Sequence, residues 1–245
     1  SAASDVYKRQ VLDGAVGVFC AVGGVEPQSE TVWRQSEAFG VPKIAFVNKM
    51  DRPGADFAAV LAAMRTRLGA NAVAVAAPLG QGEDFRAVLD LVRQETLTFA
   101  PQDQGRSVQR LPFTPEEAAL AAPWRDALLE KLAEADEAFL EPYLEGVYSQ
   151  GDILTALRRA TLARTLTPVL CGSALRNMGV QPVLDAVCDF LPSPLDVPAP
   201  VGRDAAGHKR PVPTDPDAPA VALVFKVLLE NGRKLAFLRL YAGQI

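Results

Sequence analysis

Short apolar runs alternate with helical patterns over the first 77 residues, and this alternation limits the possible fold more than any other feature. The runs Asp13–Val22, Lys43–Val47 and Asn71–Ala77 predict strands that are buried on both faces. Apolar residues at helical spacing lie between them, within Pro27–Phe39 and Phe57–Leu68. Strands and helices that alternate with short loops connect through right-handed crossovers, so the sequence predicts an α/β domain with a mostly parallel sheet.

The pattern changes at Pro78, and a charge-rich segment of more helical texture follows as far as Arg164. Thr114-Pro115-Glu116-Glu117 forms a capping box, which predicts the start of a long amphipathic helix. A short pair of strands is predicted within Thr96–Pro112. The strand pattern resumes at Leu166–Leu170. The sequence therefore predicts an α+β insert that divides a discontinuous main domain.

The last part of the chain predicts a linker and a further domain. Prolines at positions 192, 194, 198 and 200 end a helix predicted over Val180–Leu191 and begin a polar, extended linker. Alternating residues around Glu230-Asn231-Gly232-Arg233 then predict a hairpin of an all-β domain. Two strands alone are marginal in water, so we expect a piece of a longer protein. The predicted domains are 11–78 with 165–192, the insert 79–164, the linker 193–219 and the β domain 220–245.

Composition excludes several classes of function. The 245 residues are 49% apolar, which is enough to bury a full core. No run approaches the roughly 18 apolar residues of a membrane span, and residues 1–10 lack the apolar core of a signal peptide, so we expect a cytoplasmic protein without a membrane partner. Three widely spaced cysteines predict reduced thiols, and a net charge of -4 gives no general attraction to nucleic acid.

Asn48-Lys49-Met50-Asp51 directly follows the second predicted strand. This position lies at the carboxyl end of the sheet, where open α/β folds bind ligands. A carboxylate there accepts hydrogen bonds from the N1 and 2-amino groups of guanine, whereas adenine would leave the charge unpaired. Each hydrogen bond to a charged group contributes roughly 1.5 to 3 kcal/mol. Asp51 therefore predicts a site whose affinity for guanine exceeds that for adenine by orders of magnitude.

A second loop has a similar position in the predicted sheet. Thr167–Leu170 predicts a strand that ends in Cys171-Gly172-Ser173-Ala174-Leu175, which matches the second guanine-contacting loop of GTPases. In that arrangement the stem of Lys49 lies on the purine face, and the hydroxyl of Ser173 orients Asp51. The backbone N–H of Ala174 donates to the guanine O6. The alternative interpretation is that both loops are ordinary strand-to-helix turns.

Four blocks of sequence extend beyond the two loops, namely DGAVGVFCAVGGVEPQSETVWRQ (Asp13–Gln35), PKIAFVNKMDRPGADF (Pro42–Phe57), TPVLCGSALRNMGVQPVLDAV (Thr167–Val187) and DFLPSPLDVP (Asp189–Pro198). These blocks resemble the elongation factor G family of bacterial translational GTPases. The resemblance covers Val11–Ile245 and is weakest in the insert and the linker. Ser1–Gln10 does not resemble the family, and we interpret it as a non-family stretch. Release factor 3 and the ribosomal protection proteins of tetracycline resistance are less similar and form the alternative.

The resemblance implies part of a P-loop-type GTPase domain and the first strands of a β-barrel domain, from a factor that hydrolyses GTP to drive tRNA–mRNA movement. The family's phosphate loop, its Mg²⁺-coordinating threonine and its Asp-x-Pro-Gly-His switch do not occur in these 245 residues. The prediction therefore includes no catalytic residue and no metal ligand, and we expect the chain alone to hydrolyse no GTP. The residues implied to bind GTP or GDP are Asn48, Lys49, Met50, Asp51, Ser173, Ala174 and Leu175.

The resemblance also implies partners, namely the ribosome and, through an acidic helix of the insert, the ribosomal stalk protein; the protein itself is expected to be a monomer. A solvated helix face is the alternative reading of that helix. Two other functions stay open: a non-catalytic module that binds the ribosome or its stalk, and a dinucleotide-dependent enzyme, for which no G-x-G-x-x-G follows a first strand. The acidic residues are Glu116, Glu117, Asp126, Glu130, Glu134, Asp136 and Glu137.

Overall fold

The computed structural model describes residues 12–204, 206–230 and 232–245. These residues form two units, one of Gly14–Leu191 and one that includes Asp13 and Pro192–Ile245. The predicted non-family stretch Ser1–Gln10 and the turn residue Asn231 lie outside the described residues. The first unit contains both predicted guanine-contacting loops, named here the first base loop (Asn48–Asp51) and the second base loop (Ser173–Asn177).

The alternation of strands and helices in the sequence is present in the first unit. None of the helices in the described part of the chain is long and apolar enough to cross a membrane. In chain order the elements are β1 (Ala15–Cys20), α1 (Pro27–Ala38), β2 (Lys43–Asn48), α2 (Phe57–Leu68), β3 (Ala72–Ala74), β4 (Ala76–Leu79), β5 (Ala87–Asp90), β6 (Glu95–Phe99), β7 (Val108–Pro112), α3 (Pro115–Ala135), α4 (Glu137–Glu145), α5 (Gln150–Leu162), β8 (Thr167–Cys171) and α6 (Val180–Phe190).

A four-stranded parallel sheet positions the two base loops. Its order is β1-β2-β8-β3, and every neighbouring pair is parallel. All residues of β8 are buried, and β2 is buried at every position except Asn48. Strands of this kind are covered by helices on both faces, so the predicted α/β class is confirmed. Because β2 and β8 are neighbours and parallel, the two base loops begin side by side at one edge.

Local signals explain where the helices on this sheet begin and end. Pro27 begins α1, where a fixed φ suits the first helical turn and no N–H is needed. Asp56 precedes α2 and its side chain accepts a hydrogen bond from the N–H of Ala59 at 2.9 Å. Gly69, with φ 65°, ends the same helix in a left-handed conformation. These caps fix the lengths of the helices that cover the sheet.

Residues 75–166, named here the inserted segment, lie between β3 and β8, although these two strands are neighbours in the parallel sheet. The segment forms an antiparallel sheet in the order β4-β5-β6-β7, followed by α3, α4 and α5. We predicted one strand over Asn71–Ala77, but the structure divides this run at Val75. The N–H of Val75 donates to Val169 O at 3.0 Å, and its carbonyl accepts from Leu91 N at 3.1 Å. Both halves are buried and apolar, so the sequence contains no signal for the division.

The helices of the inserted segment pack against the parallel-sheet side of the unit. The predicted capping box is present, with Thr114 N donating to Glu117 Oε2 at 2.9 Å and Glu117 N donating to Thr114 Oγ1 at 3.3 Å. The rings of Phe57 in α2 and Trp124 in α3 have centroids 5.4 Å apart. Trp33, Met64 and Phe139 are almost fully buried.

The second unit contains two antiparallel strand pairs. They are β9 (Val201–Arg203) with β10 (Lys209–Pro211), and β11 (Val221–Glu230) with β12 (Arg233–Ala242). The predicted hairpin is present as β11 and β12. The first pair lies in the segment predicted as an extended linker. The sequence does not predict it, because three-residue strands have too few alternating positions to give a recognisable pattern. His208 is exposed in this segment.

Candidate functional site

The amide side chain of Asn48 connects the two base loops. Its Oδ1 accepts hydrogen bonds from the N–H of Lys49 at 2.8 Å and from the N–H of Ala174 at 2.9 Å. Lys49 has φ 67°, a left-handed conformation that turns the chain where β2 ends. Asn side chains stabilise such turns by accepting from nearby backbone N–H groups. The side chain of Asn48 therefore joins two loops that are 126 residues apart in sequence.

Met50 holds the first base loop in place through its backbone. Its N–H donates to Gly172 O at 3.1 Å, and its carbonyl accepts from Gly82 N at 2.8 Å. The side chain is fully buried in the core. Of the predicted guanine-binding residues, Met50 is thus the one whose side chain points into the core, so only its backbone can take part in the site.

The second base loop is a closed turn. The N–H of Ser173 donates to Met178 O at 2.9 Å, and the N–H of Met178 donates to Ser173 O at 3.0 Å. Between them, Ala174–Arg176 forms one turn of 3₁₀ helix, and Asn177 has φ 54°. Because the Ala174 N–H already donates to Asn48 Oδ1, the predicted hydrogen bond to guanine O6 requires the base to share or replace that acceptor.

The carboxylate of Asp51 lies at the centre of the predicted site and is 13% exposed. Arg176 forms an ion pair with Asp51, with Nε 3.1 Å from Oδ2. The predicted hydrogen bond from the Ser173 hydroxyl to Asp51 is not formed, since Ser173 Oγ is buried without a partner among the residues that the structure describes. A guanidinium binds a carboxylate more strongly than a hydroxyl does, which explains the difference.

The carboxylate of Asp51 has room for further hydrogen-bond donors beside Arg176. An ionised carboxylate accepts up to about four hydrogen bonds, so one contact from Arg176 leaves acceptor capacity. A guanidinium and the N1–C2–N2 edge of guanine both present N–H donors in one plane. Arg176 therefore supplies the kind of donor that the base would supply, and its side chain is 52% exposed and can move aside. Ser173 Oγ, buried and unpartnered among the described residues, is a further polar atom near the predicted base contacts.

The remaining predicted residues lie on the surface of the two loops. Lys49 and Ala174 are exposed, which leaves the Lys49 stem accessible to a planar ligand. Leu175 is 91% exposed and has its side chain in solvent. The structure therefore brings all seven predicted residues to two adjacent loops. Asn48 accepts a hydrogen bond from Ala174, Asp51 pairs with Arg176, and Leu175 lies exposed beside them.

Cys20 lies beside this edge of the sheet. It ends β1 and pairs in register with Asn48 of β2. A hydrogen bond from the backbone of Gly23 lowers the pKa of its thiol. By contrast, complete burial raises the pKa of Cys171 in β8. The sequence predicts reduced thiols for all the cysteines alike, and only the strand register shows that Cys20 is next to the first base loop.

No cluster of three or more His, Cys, Asp or Glu side chains that could hold a metal lies within residues 12–204, 206–230 and 232–245.

Comparison with known proteins defines the class first. The sequence profile of the elongation factor Tu GTP binding domain matches residues 6–193, more than half of the chain. The chain therefore belongs to this family of GTP-binding domains.

Within that class, the similar curated proteins are called elongation factor G, which confirms the predicted resemblance. Elongation factor G 1 of Geobacter sulfurreducens is 50% identical over 238 residues, which are 96% of this chain and 34% of that protein. Elongation factor G 2 of Syntrophus aciditrophicus is 48% identical over 96% of this chain and 35% of that protein. The chain spans about a third of the length of the curated relatives it matches.

A solved structure has the same fold. A crystal structure of a protein from Thermus thermophilus aligns with a TM-score of 0.77 and 28% sequence identity. The alignment covers 98% of this chain and 34% of that chain. The arrangement of strands and helices that places the two base loops side by side is therefore shared with a known protein.

Proposed function

We propose that this chain reads the guanine base of GTP and GDP as part of a translation elongation GTPase that acts on the ribosome. The supporting observation is the hydrogen bond from Ala174 N to Asn48 Oδ1 at 2.9 Å, which holds two loops together beside the carboxylate of Asp51. The proposed parent protein is a cytoplasmic monomer that drives tRNA–mRNA movement.

Each residue at the two loops has a separate part in the proposal. Asp51 accepts hydrogen bonds from the N1 and 2-amino groups of guanine, which replace its contact with Arg176. The partial burial of Asp51 strengthens these charge-assisted hydrogen bonds. Asn48 and Ala174 present the amide and N–H groups that face the O6 side of the base. The alkyl stem of Lys49 covers one purine face.

The proposal separates base recognition from hydrolysis. The sequence has no phosphate loop and no Asp-x-Pro-Gly-His switch, and most nucleotide affinity in such proteins comes from charge-assisted contacts to the phosphates. We therefore expect this chain alone to bind GDP weakly and selectively, and to hydrolyse no GTP. Purified chain that turns over GTP above a buffer control would contradict this expectation.

Asp51→Asn tests the proposed base contact. The amide side chain replaces one acceptor by a donor, so it no longer matches the 2-amino group of guanine and instead matches the 2-carbonyl of xanthine. We expect GDP affinity to fall roughly 100-fold and XDP affinity to rise. Titrations of ¹⁵N-labelled chain with millimolar GDP, XDP and ADP, followed by NMR, measure all three affinities.

Asp126→Asn is the matched control, because Asp126 is exposed on α3 and carries the same charge. It should leave all three affinities unchanged. A native chain that binds GDP and ADP equally would falsify the proposed guanine site, and so would an Asp51→Asn variant that behaves like the control.

The inserted segment carries the surface proposed to bind the ribosomal stalk protein. Of the predicted acidic residues, Asp136 is not available to a partner, because it is buried and accepts a hydrogen bond from Arg159 Nε at 2.8 Å. Asp126, Glu130 and Glu134 remain exposed on α3 at four-residue spacing and form one stripe. An exposed acidic stripe supports docking of a basic or amphipathic partner, while a merely solvated helix face stays the alternative.

Charge reversal at Glu130 and Glu134 distinguishes the two readings. We expect the double variant Glu130→Lys with Glu134→Lys to lose binding to the isolated stalk protein, measured by titration calorimetry. Reversal of two exposed acidic residues outside α3, Glu26→Lys with Glu83→Lys, is the control and should leave binding intact. Equal binding by all variants would show that the acidic residues of α3 form a solvated helix face with no part in stalk binding.

A further inference from the structure

One loop of the inserted segment lies directly against the second base loop. This loop, residues 100–107, connects β6 and β7, and its residue Gly105 is buried. Gly105 has φ 73°, and a Cβ added there would lie 2.8 Å from Arg176 O and 2.9 Å from Asn177 O. Only glycine allows the two backbones to approach so closely.

The same contact is held by hydrogen bonds on both sides of Gly105. Its carbonyl accepts from Gln181 Nε2 at 2.7 Å, and Gln181 belongs to α6, which follows the second base loop. Its N–H donates to Ala100 O at 2.8 Å within its own loop. The carboxylate of Asp103 accepts from the N–H groups of Arg106 and Ser107 at 3.0 and 2.9 Å. The loop that presents Gly105 is therefore internally braced.

Beyond Gly105 the two loops separate. An open groove of about 730 Å³ lies beside the contact and is lined by residues that include Phe85, Phe99, Leu175 and Met178. The close backbone approach at Gly105 lies next to this groove. A change at this position should act on the second base loop more than on the core.

The first base loop also contacts the inserted segment. Gly82, between β4 and β5, donates its N–H to Met50 O at 2.8 Å. The neighbouring Gln81 Oε1 accepts from the N–H of Phe57 at 2.8 Å, at the start of α2. Both base loops thus meet turns of one antiparallel sheet, at Gly82 and at Gly105. The sheet spans the two loops and can fix the distance between them.

We propose that Gly105 is a positioning residue for guanine recognition, through which the inserted segment sets the place of the second base loop relative to Asp51. The inference rests on the proposed function for its ligand, but the contact itself can be tested without one. Because the base must meet Asp51 and the Ala174 N–H together, a displaced second loop weakens the fit of the 2-amino edge and of O6.

Gly105→Ala is the direct test, and Gly146→Ala is a matched control. Gly146 ends α4 with φ 69°, so alanine meets the same left-handed strain there, but nothing lies within 4 Å of the added Cβ. In the nucleotide-free chain we expect the amide hydrogens of Ser173 and Met178 to exchange roughly tenfold faster in Gly105→Ala and at the native rate in Gly146→Ala. Hydrogen exchange followed by NMR resolves these amides.

The second measurement compares GDP with IDP, which lacks the 2-amino group. We expect Gly105→Ala to lower the ratio of GDP to IDP affinity roughly tenfold, whereas loss of stability alone lowers both affinities together. If Gly105→Ala does not fold, Gln181→Met removes the 2.7 Å hydrogen bond to Gly105 O while keeping the side-chain length, and should change both readouts in the same direction.

Two outcomes overturn the inference. One is native exchange at Ser173 and Met178 in Gly105→Ala, and the other is an unchanged ratio of GDP to IDP affinity in a native chain that prefers GDP. A native chain without preference for GDP contradicts the proposed function instead, and the exchange rates then still decide whether Gly105 positions the loop.

Discussion

The first and second base loops are held in place by different means. The first continues a buried strand, keeps Met50 in the core and makes backbone hydrogen bonds to Gly172 and Gly82 on its two sides. The second exposes Ala174, Leu175 and Arg176 and is fixed by one closed pair of backbone hydrogen bonds and by contacts from neighbouring segments. Changes in the first loop should therefore affect stability and binding together, whereas changes in the second should separate them.

Asn48→Ala should produce the largest effect, because the side chain of Asn48 accepts hydrogen bonds from both loops. The variant loses two hydrogen bonds, from Lys49 N and Ala174 N, which together lower the free energy of unfolding by roughly 1 to 3 kcal/mol. GDP binding should become undetectable. Urea unfolding and NMR titration measure the two effects.

Asn71→Ala is the comparison, because Asn71 directly precedes β3 and lies at the amino end of the strands of the same sheet. Asn71 Nδ2 donates to Thr165 O at 2.9 Å, so this variant loses one hydrogen bond, about 1 kcal/mol. It should keep native GDP affinity. If both variants bind GDP equally, the link between the loops has no part in recognition.

Arg176→Gln should have a smaller effect, and should strengthen binding. The ion pair with Asp51 involves a half-exposed arginine and contributes at most about 1 kcal/mol, so its removal should raise GDP affinity up to about fivefold at low salt. The gain should disappear in about 0.5 M salt, where exposed charges are screened. Arg106→Gln removes the same charge from the neighbouring loop and is the control. A loss of affinity in Arg176→Gln would show that Arg176 supports the base.

Ser173→Ala should have the smallest effect, and it should separate the change in stability from the change in GDP affinity most clearly. Because Ser173 Oγ is buried without a partner among the described residues, its removal should raise the free energy of unfolding by up to about 1 kcal/mol. If the hydroxyl reaches Asp51 once a base is bound, GDP affinity should fall several-fold at the same time. Ser36→Ala, which removes a hydroxyl that donates to Trp33 O at 2.7 Å, should lower stability and leave binding unchanged.

The sequence predicts the first base loop well because its signals are local. A buried apolar run ends at Asn48, and the polar tetrapeptide follows at once, so chain order alone places it at a sheet edge. The capping box at Thr114 and the left-handed cap at Gly69 are local in the same sense. Signals of this kind need only a few neighbouring residues, and the structure contains each of them.

The contacts that the sequence does not predict are long-range. The pairing of Asp51 with Arg176, and the approach of Gly105 to the same arginine, join segments that are distant in the chain. The division at Val75 depends on which partner each half of an apolar run meets, Val169 or Leu91. Where several apolar or charged residues could pair equally well, only the tertiary arrangement decides.

The strand order has a consequence for the time at which the site forms during synthesis. β8 lies between β2 and β3, so it must enter the parallel sheet after the inserted segment has been made. Asn48 meets Ala174 only when 126 further residues have been added, which takes roughly 6 to 25 s at usual translation rates. Under the proposed function, the growing chain therefore has the carboxylate of Asp51 well before the second base loop is in place to hold a guanine base, and selectivity would arise among the last events in the folding of this unit.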